Sequence, residues 1–142
     1  MRALLVSHVA GEYGAATSLL ALVDGLRRKG VTCSVVAPSE GEMTDALEKL
    51  DIPFNVMPIK WWASGAGWPI KRLIRGGYNL LTTCLLALHA CRWQADVVYS
   101  NSSITPVGAL ASRLAGRPHV WHIREFGQED YGLFFHLGFN RT

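Results

Sequence analysis

Four short clusters in this sequence carry side chains able to do chemistry. The first runs from His8 to Ser18 (His8-Val9-Ala10-Gly11-Glu12-Tyr13-Gly14-Ala15-Ala16-Thr17-Ser18). Small residues let a backbone approach a ligand closely, and free N–H groups at a helix start attract phosphate. The same residues also make an ordinary tight turn with Thr17 or Ser18 as helix cap. Gly11 and Gly14 lie three apart, so the dinucleotide fingerprint GxGxxG is absent and NAD is disfavoured. The second cluster is Ser100-Asn101-Ser102-Ser103-Ile104-Thr105-Pro106. Its short polar side chains suit sugar hydroxyls, although Ser or Thr before Pro106 would equally cap a helix.

The third cluster, His119-Val120-Trp121-His122-Ile123-Arg124-Glu125, puts imidazole, guanidinium and carboxylate into one stretch. Read as a strand, His122 and Arg124 point to one face, with Trp121, Ile123 and Glu125 on the other. Arg124 could hold phosphate and His122 could donate to, or accept from, a hydroxyl. An ion-paired strand end with a satisfied histidine is the plain alternative. The fourth cluster mixes Lys60, Trp61, Trp62 and Trp68 with Lys71, Arg72 and Arg75. It reads either as a membrane-interface patch or as tryptophans packing outer helices onto the core. No GxSxG elbow, GxxxxGK[ST] loop or DxD pair occurs, so no metal site is implied.

The elements that must position these clusters alternate. Ala3 to Val6 is a continuous apolar run, as expected of a strand buried on both faces. Leu19, Leu22, Val23 and Leu26 recur at helical spacing, with Arg27, Arg28 and Lys29 in the last turn and Gly30 as the stop. Strand Cys33–Ala37, helix Met43–Leu50 and strand Phe54–Met57 follow. A long helical pattern covers about 70–92, with Gly76 and Gly77 a candidate break or kink. Strand Asp96–Ser100, helix Val107–Ala115 and strand His119–Ile123 close the series. Buried strands alternating with helices specify a Rossmann-like α/β fold, a parallel sheet with helices on both faces. Ligands bind such sheets at the carboxyl ends of the strands, where the strand order reverses. All but the tryptophan cluster fall there.

Composition bounds the partners. The 142 residues allow one domain with a real core, and 49% hydrophobic against 18% charged residues excludes disorder. A net charge of +3 is too small to argue for nucleic acid. It fits an anionic ligand or membrane surface. Three cysteines without a CxxC read as buried reduced thiols of a cytosolic protein. Five apolar residues before Ser7 are too few for a signal-peptide core of about 7–15. The tract Leu80–Cys91 is well short of the roughly 20 residues that span a bilayer.

In order and spacing, four segments together resemble the N-terminal domain of family 4 glycosyltransferases: Arg2 to His8, Tyr13 to Leu20, Tyr99 to Ser103, and Trp121 to Gly127. The resemblance covers nearly the whole chain. It implies half of a GT-B enzyme, a retaining transferase that moves a sugar from a nucleotide-sugar donor to a glycan or lipid-linked acceptor, as in polysaccharide biosynthesis. It places Gly14 and Ala15 at the donor diphosphate and His122 beside the transferred sugar as the catalytic candidate. Asn101, Ser102, Arg124 and Glu125 become candidates for acceptor or sugar contacts. Tyr13 and Ala16-Thr17 stand where many members carry the first glycine of a pair and Glu-Arg. The family's C-terminal donor-binding domain has no counterpart before Thr142, so the implied site needs completion in cis or in trans. The residues themselves call for no cofactor or metal and no nucleic acid, and they fit a cytoplasmic protein, free or peripheral on the inner face of the membrane through Trp61, Trp62 and Trp68. The other class open to such a sheet is a non-catalytic, flavodoxin-like binding module.

Overall fold

A computed structural model describes residues 1–11, 14–61, 63–64, 69–123 and 134–135; of 63–64, 69–72 and 134–135 it describes the backbone. The main sheet contains β1 (Arg2–Val6), β2 (Thr32–Ala37), β3 (Phe54–Val56), β5 (Val97–Ser100) and β6 (His119–Trp121). Their order is β3-β2-β1-β5-β6, and every pairing is parallel. The chain moves outward from β1 to β3, then returns to lay β5 on the other side of β1. That reversal is the topological switch point.

Helices α1 (Gly14–Arg28) and α2 (Glu42–Lys49) cover one face, and α3 (Pro69–Arg92) and α4 (Val107–Leu114) cover the other. The alternation of β1 explains why both faces need cover. Ala3 and Leu5 join Leu19, Val23, Val35 and Leu47 on one side, while Leu4 and Val6 join Val36, Leu86, Val98 and Ala111 on the other. Burying an apolar side chain on each face stabilises the sheet by about 1.5–3 kcal/mol per residue. Arg27 and Arg28 lie in the last turn of α1, and Gly30 ends it at φ +78°, a backbone region open to glycine.

Several sequence expectations need correction. Thr17 and Ser18 do not cap α1, because that helix begins at Gly14 and carries them inside it. Nor do Gly76 and Gly77 break α3. A Cβ at either would meet nothing within 4 Å, so each costs only its own helix propensity of about 1 kcal/mol. Strand β6 ends at Trp121 rather than Ile123, since its partner β5 stops at Ser100, opposite Trp121. A two-stranded antiparallel pair, β4 (Ala63–Ser64) with β7 (Phe134–Phe135), is too short to leave a periodic signal. Only Cys33 among the thiols is buried; Cys84 and Cys91 are exposed on α3. Burial pushes the Cys33 thiol up, with Arg27 opposing, which leaves it a small hydrophobe.

Candidate functional site

The crevice at the switch point lies between the loop leaving β1 and the loop leaving β5. Ser7 follows β1 directly, donating its N–H to Val36 O at 2.8 Å, and its hydroxyl donates to Val9 O at 2.7 Å in a turn. His8 follows and is 6% exposed. Its Nδ1 lies 3.0 Å from the carbonyl of Asn101. A carbonyl only accepts, so Nδ1 carries the proton of this bond.

Asn101 ties the two loops together. Its N–H donates to Val6 O at 3.0 Å, its carbonyl takes the His8 proton, and its Nδ2 donates to Ala15 O at 2.8 Å in the first turn of α1. One residue therefore fixes the end of β1 and the start of α1 against the end of β5. Asn101 and Ser102, expected as sugar contacts, are each 1% exposed. The Asn101 amide is already committed to Ala15. The Ser102 hydroxyl accepts from Ile104 N–H at 3.1 Å, and its carbonyl accepts from Trp121 Nε1 at 2.7 Å. These side chains shape the loop from beneath. The proline reading is also refined, because Pro106 itself occupies the N-cap of α4, with Thr105 behind it accepting from Val107 N–H at 3.4 Å.

Gly14 opens α1, and a Cβ built on it would meet no atom within 4 Å, which leaves space beside the backbone of that turn. The N-terminal turn and the dipole behind it favour an anion. His122 stands just past β6, where its N–H donates to Ser100 O at 2.9 Å and its Nδ1 is hydrogen-bonded to the Tyr99 hydroxyl. Tyr99 packs into the cluster on the α1 face. The tyrosine thus holds the imidazole on the side of the sheet where Gly14 and Ala15 lie, a link that sequence spacing did not signal. Arg124 and Glu125 lie outside the described residues, as do Tyr13, Trp62 and Trp68. His8 was missed as a positioning residue at the sequence level; its place directly after a buried strand was the available signal.

Trp61 is not a core tryptophan. It is 44% exposed, its Nε1 donates to His8 O at 3.3 Å, and its ring lies against the His8 imidazole. Among the described residues, no cluster of three His, Cys, Asp or Glu could hold a metal ion.

A second histidine contact sits under α4, where His119 Nε2 is 2.9 Å from the buried Ser100 hydroxyl. Burial pushes His119 and His89 below the ordinary 6.5. Near that pH the unfolded chain takes up protons that the folded chain refuses. Their contribution is complete above the unfolded value and declines as pH falls from there toward the folded value. Thermal melts should therefore show Tm falling as pH drops below about 6.5, and His119→Gln should flatten that slope. An unchanged slope in His119→Gln removes this histidine from the account.

A parallel sheet with its crevice at a central switch point defines a Rossmann-like domain, the architecture of GT-B glycosyltransferases. Residues 13–141 match the family described as a glycosyl transferase 4-like domain, and the chain belongs to that family. Among solved structures it is similar to MurG of Acinetobacter baumannii, with 23% identity and a TM-score of 0.66, covering 86% of this chain and 34% of that one. It is similar to HepE of Anabaena in complex with UDP-glucose, with 23% identity and a TM-score of 0.62, covering 88% and 29%. The C-terminal domain of a Pyrococcus furiosus hydrogenase shares the fold at 9% identity and a TM-score of 0.59, covering 86% and 90%. The chain spans about a third of the MurG and HepE chains. A comparison with curated proteins finds no match.

Proposed function

We propose that this chain is the acceptor-side domain of a retaining glycosyltransferase, one that moves a sugar from a nucleotide-sugar donor to a glycan or lipid-linked acceptor in the cytoplasm. The observation that carries the reading is the Asn101 tie, which holds the first turn of α1 at the switch point of a glycosyltransferase-family domain. The UDP-glucose bound to HepE supports a nucleoside diphosphate sugar as donor.

In this reading the N–H groups at Gly14 and Ala15 face the donor diphosphate and stabilise charge developing on the leaving group. Fixed dipoles act strongly there because they need no reorganisation during the reaction. His122, held by Tyr99, orients a hydroxyl of the transferred sugar. Arg124 and Glu125 are assigned to contacts with the acceptor or the sugar. Most of the donor site belongs to a C-terminal GT-B domain supplied in cis or in trans, so the 142-residue chain alone gives no transfer.

The test is transfer from a panel of nucleotide sugars by the domain joined to its donor-side half. Replacing His122 by alanine should lower kcat about tenfold, the worth of one hydrogen bond to a sugar hydroxyl. Unaltered transfer by the variant would remove His122 from the site, while no transfer from any donor by the joined protein, or robust turnover by the isolated chain, would overturn the assignment.

A further inference from the structure

Tyr99 reaches His122 because the parallel ladder runs one residue past β6. Tyr99 is paired with Leu5 on β1 and with Val120 on β6. The His122 N–H carries that ladder on by donating to Ser100 O at 2.9 Å, so its side chain falls on the face shared by Val120 and Tyr99. There the Tyr99 hydroxyl is hydrogen-bonded to Nδ1, and the two rings meet edge to face, with centroids 5.9 Å apart and planes at 64°. Both side chains are half-buried.

The hydrogen bond fixes how the ring is turned. A half turn about χ2 would set Cδ2–H against the phenol oxygen and lose the bond. With Nδ1 turned to the tyrosine, Nε2 lies on the opposite side of the ring from it.

The same bond places a proton. A phenol gives up its proton near pH of about 10, and a neutral imidazole takes one up near about 6.5, whereas a phenol oxygen is too weak a base to do so. The stronger acid meets the stronger base when the Tyr99 O–H donates and Nδ1 accepts. The single proton of the neutral ring then sits on Nε2. An imidazolium carries a proton there as well. Only a neutral ring protonated at Nδ1, in which the weaker acid donates to the weaker base, would present a lone pair at Nε2.

We infer that Tyr99 is a positioning residue for sugar transfer: by donating to Nδ1 of His122 it turns Nε2 away from itself with the proton on it, so the imidazole meets the sugar as a hydrogen-bond donor and not as a base. The inference rests on the transferase reading and makes it more specific. His122 gives a hydrogen bond to an oxygen of the transferred sugar and removes no proton from the acceptor hydroxyl. A sugar lacking that oxygen leaves the Nε2–H without an acceptor and is disfavoured.

One test needs no substrate. In the full chain carrying isotope-labelled histidine, proton–nitrogen correlation at pH of about 8.5 observes neutral imidazoles. His122→Gln identifies the signals. His122 should show a protonated Nε2 and an unprotonated, hydrogen-bonded Nδ1. Tyr99→Phe keeps the ring that packs on the α1 face and should lose the shift that the hydroxyl gives Nδ1. A proton on Nδ1 in the parent, or a variant spectrum identical to the parent's, overturns the inference.

The second test is kinetic, in the domain joined to its donor-side half. Tyr99→Phe should lower kcat about fivefold while the donor KM changes by less than about twofold, as expected of a bond that orients rather than binds. In a His122→Ala background the same change should cost nothing more, because Tyr99 acts through the imidazole. A tyrosine that only supports the fold would cost the same in both backgrounds, and that result, or an unchanged kcat, overturns the positioning role. If the joined parent transfers no sugar, the transferase reading fails and takes the role in transfer with it, while the spectra still decide where the proton sits.

Discussion

Gly108→Ala should lower the unfolding free energy by about 2–3 kcal/mol, although alanine is the better helix former by about 1 kcal/mol. A Cβ on Gly108 would lie 2.0 Å from the Ser100 hydroxyl and 3.4 Å from the Ser100 Cβ, with Val6 Cγ2 at 3.6 Å. Close approach of α4 to β5 thus requires a residue without a side chain. The serine cannot turn away freely, because its hydroxyl is bonded to His119 at 2.9 Å. Denaturant titration checks the value, and a double-mutant cycle checks the cause. Ser100→Ala removes the colliding oxygen, so the double variant should recover at least half of the loss. Additive losses would mean that the two residues do not meet as described.

Asn101→Leu should cost about 2 kcal/mol of stability, since it removes the Nδ2 donor from Ala15 O and puts an apolar side chain among the polar groups of a buried loop. Its larger effect should be on transfer by the complete enzyme, a fall of about 100-fold well below the Tm. A displacement of about 1 Å in a positioning element can carry that cost. Transfer kinetics at low temperature, with circular dichroism to show the fold retained, separate the two effects. A variant that is destabilised yet transfers sugar at the parental rate would reduce Asn101 to a structural role. The same measurement on Asn101→Asp, which keeps the shape but replaces the amide donor, should also show the loss.

The fold was legible because its signals are local. Ala3 to Val6 is an unbroken apolar run, and only a strand covered on both faces needs one. Leu19, Val23 and Leu26 mark a helix with one buried face, and Gly30 ends it in the backbone region expected of a glycine. Local composition also limited what could be read. Gly76-Gly77 looks like a break because glycine weakens any helix, yet the cost is small beside the packing of the residues that follow on the sheet. Thr17 and Ser18 look like caps because hydroxyls favour helix starts, but α1 begins three residues earlier, where the chain leaves the crevice.

The candidate site was legible as loops and not as contacts. Alternating elements place His8, Asn101 and His122 at the carboxyl ends of strands, which follows from chain order and sheet direction alone. Whether a polar residue there faces a ligand or the protein depends on neighbours far away in sequence. Asn101 bonds Ala15 across 86 residues, and Tyr99 meets His122 only because β5 and β6 pair in one register. The tryptophan cluster divided in the same way. Trp61 is exposed beside His8 because Asn79, on α3, holds the Lys60 backbone. Sequence by itself determined the order of strands and helices, the two buried faces and the family, since apolar period, turn residues and motif order are properties of neighbouring residues. Tertiary structure alone decided that Asn101 faces inward, that His122 is held by a tyrosine and that the leucines of α3 face outward, because each depends on which distant backbone occupies the space beside it.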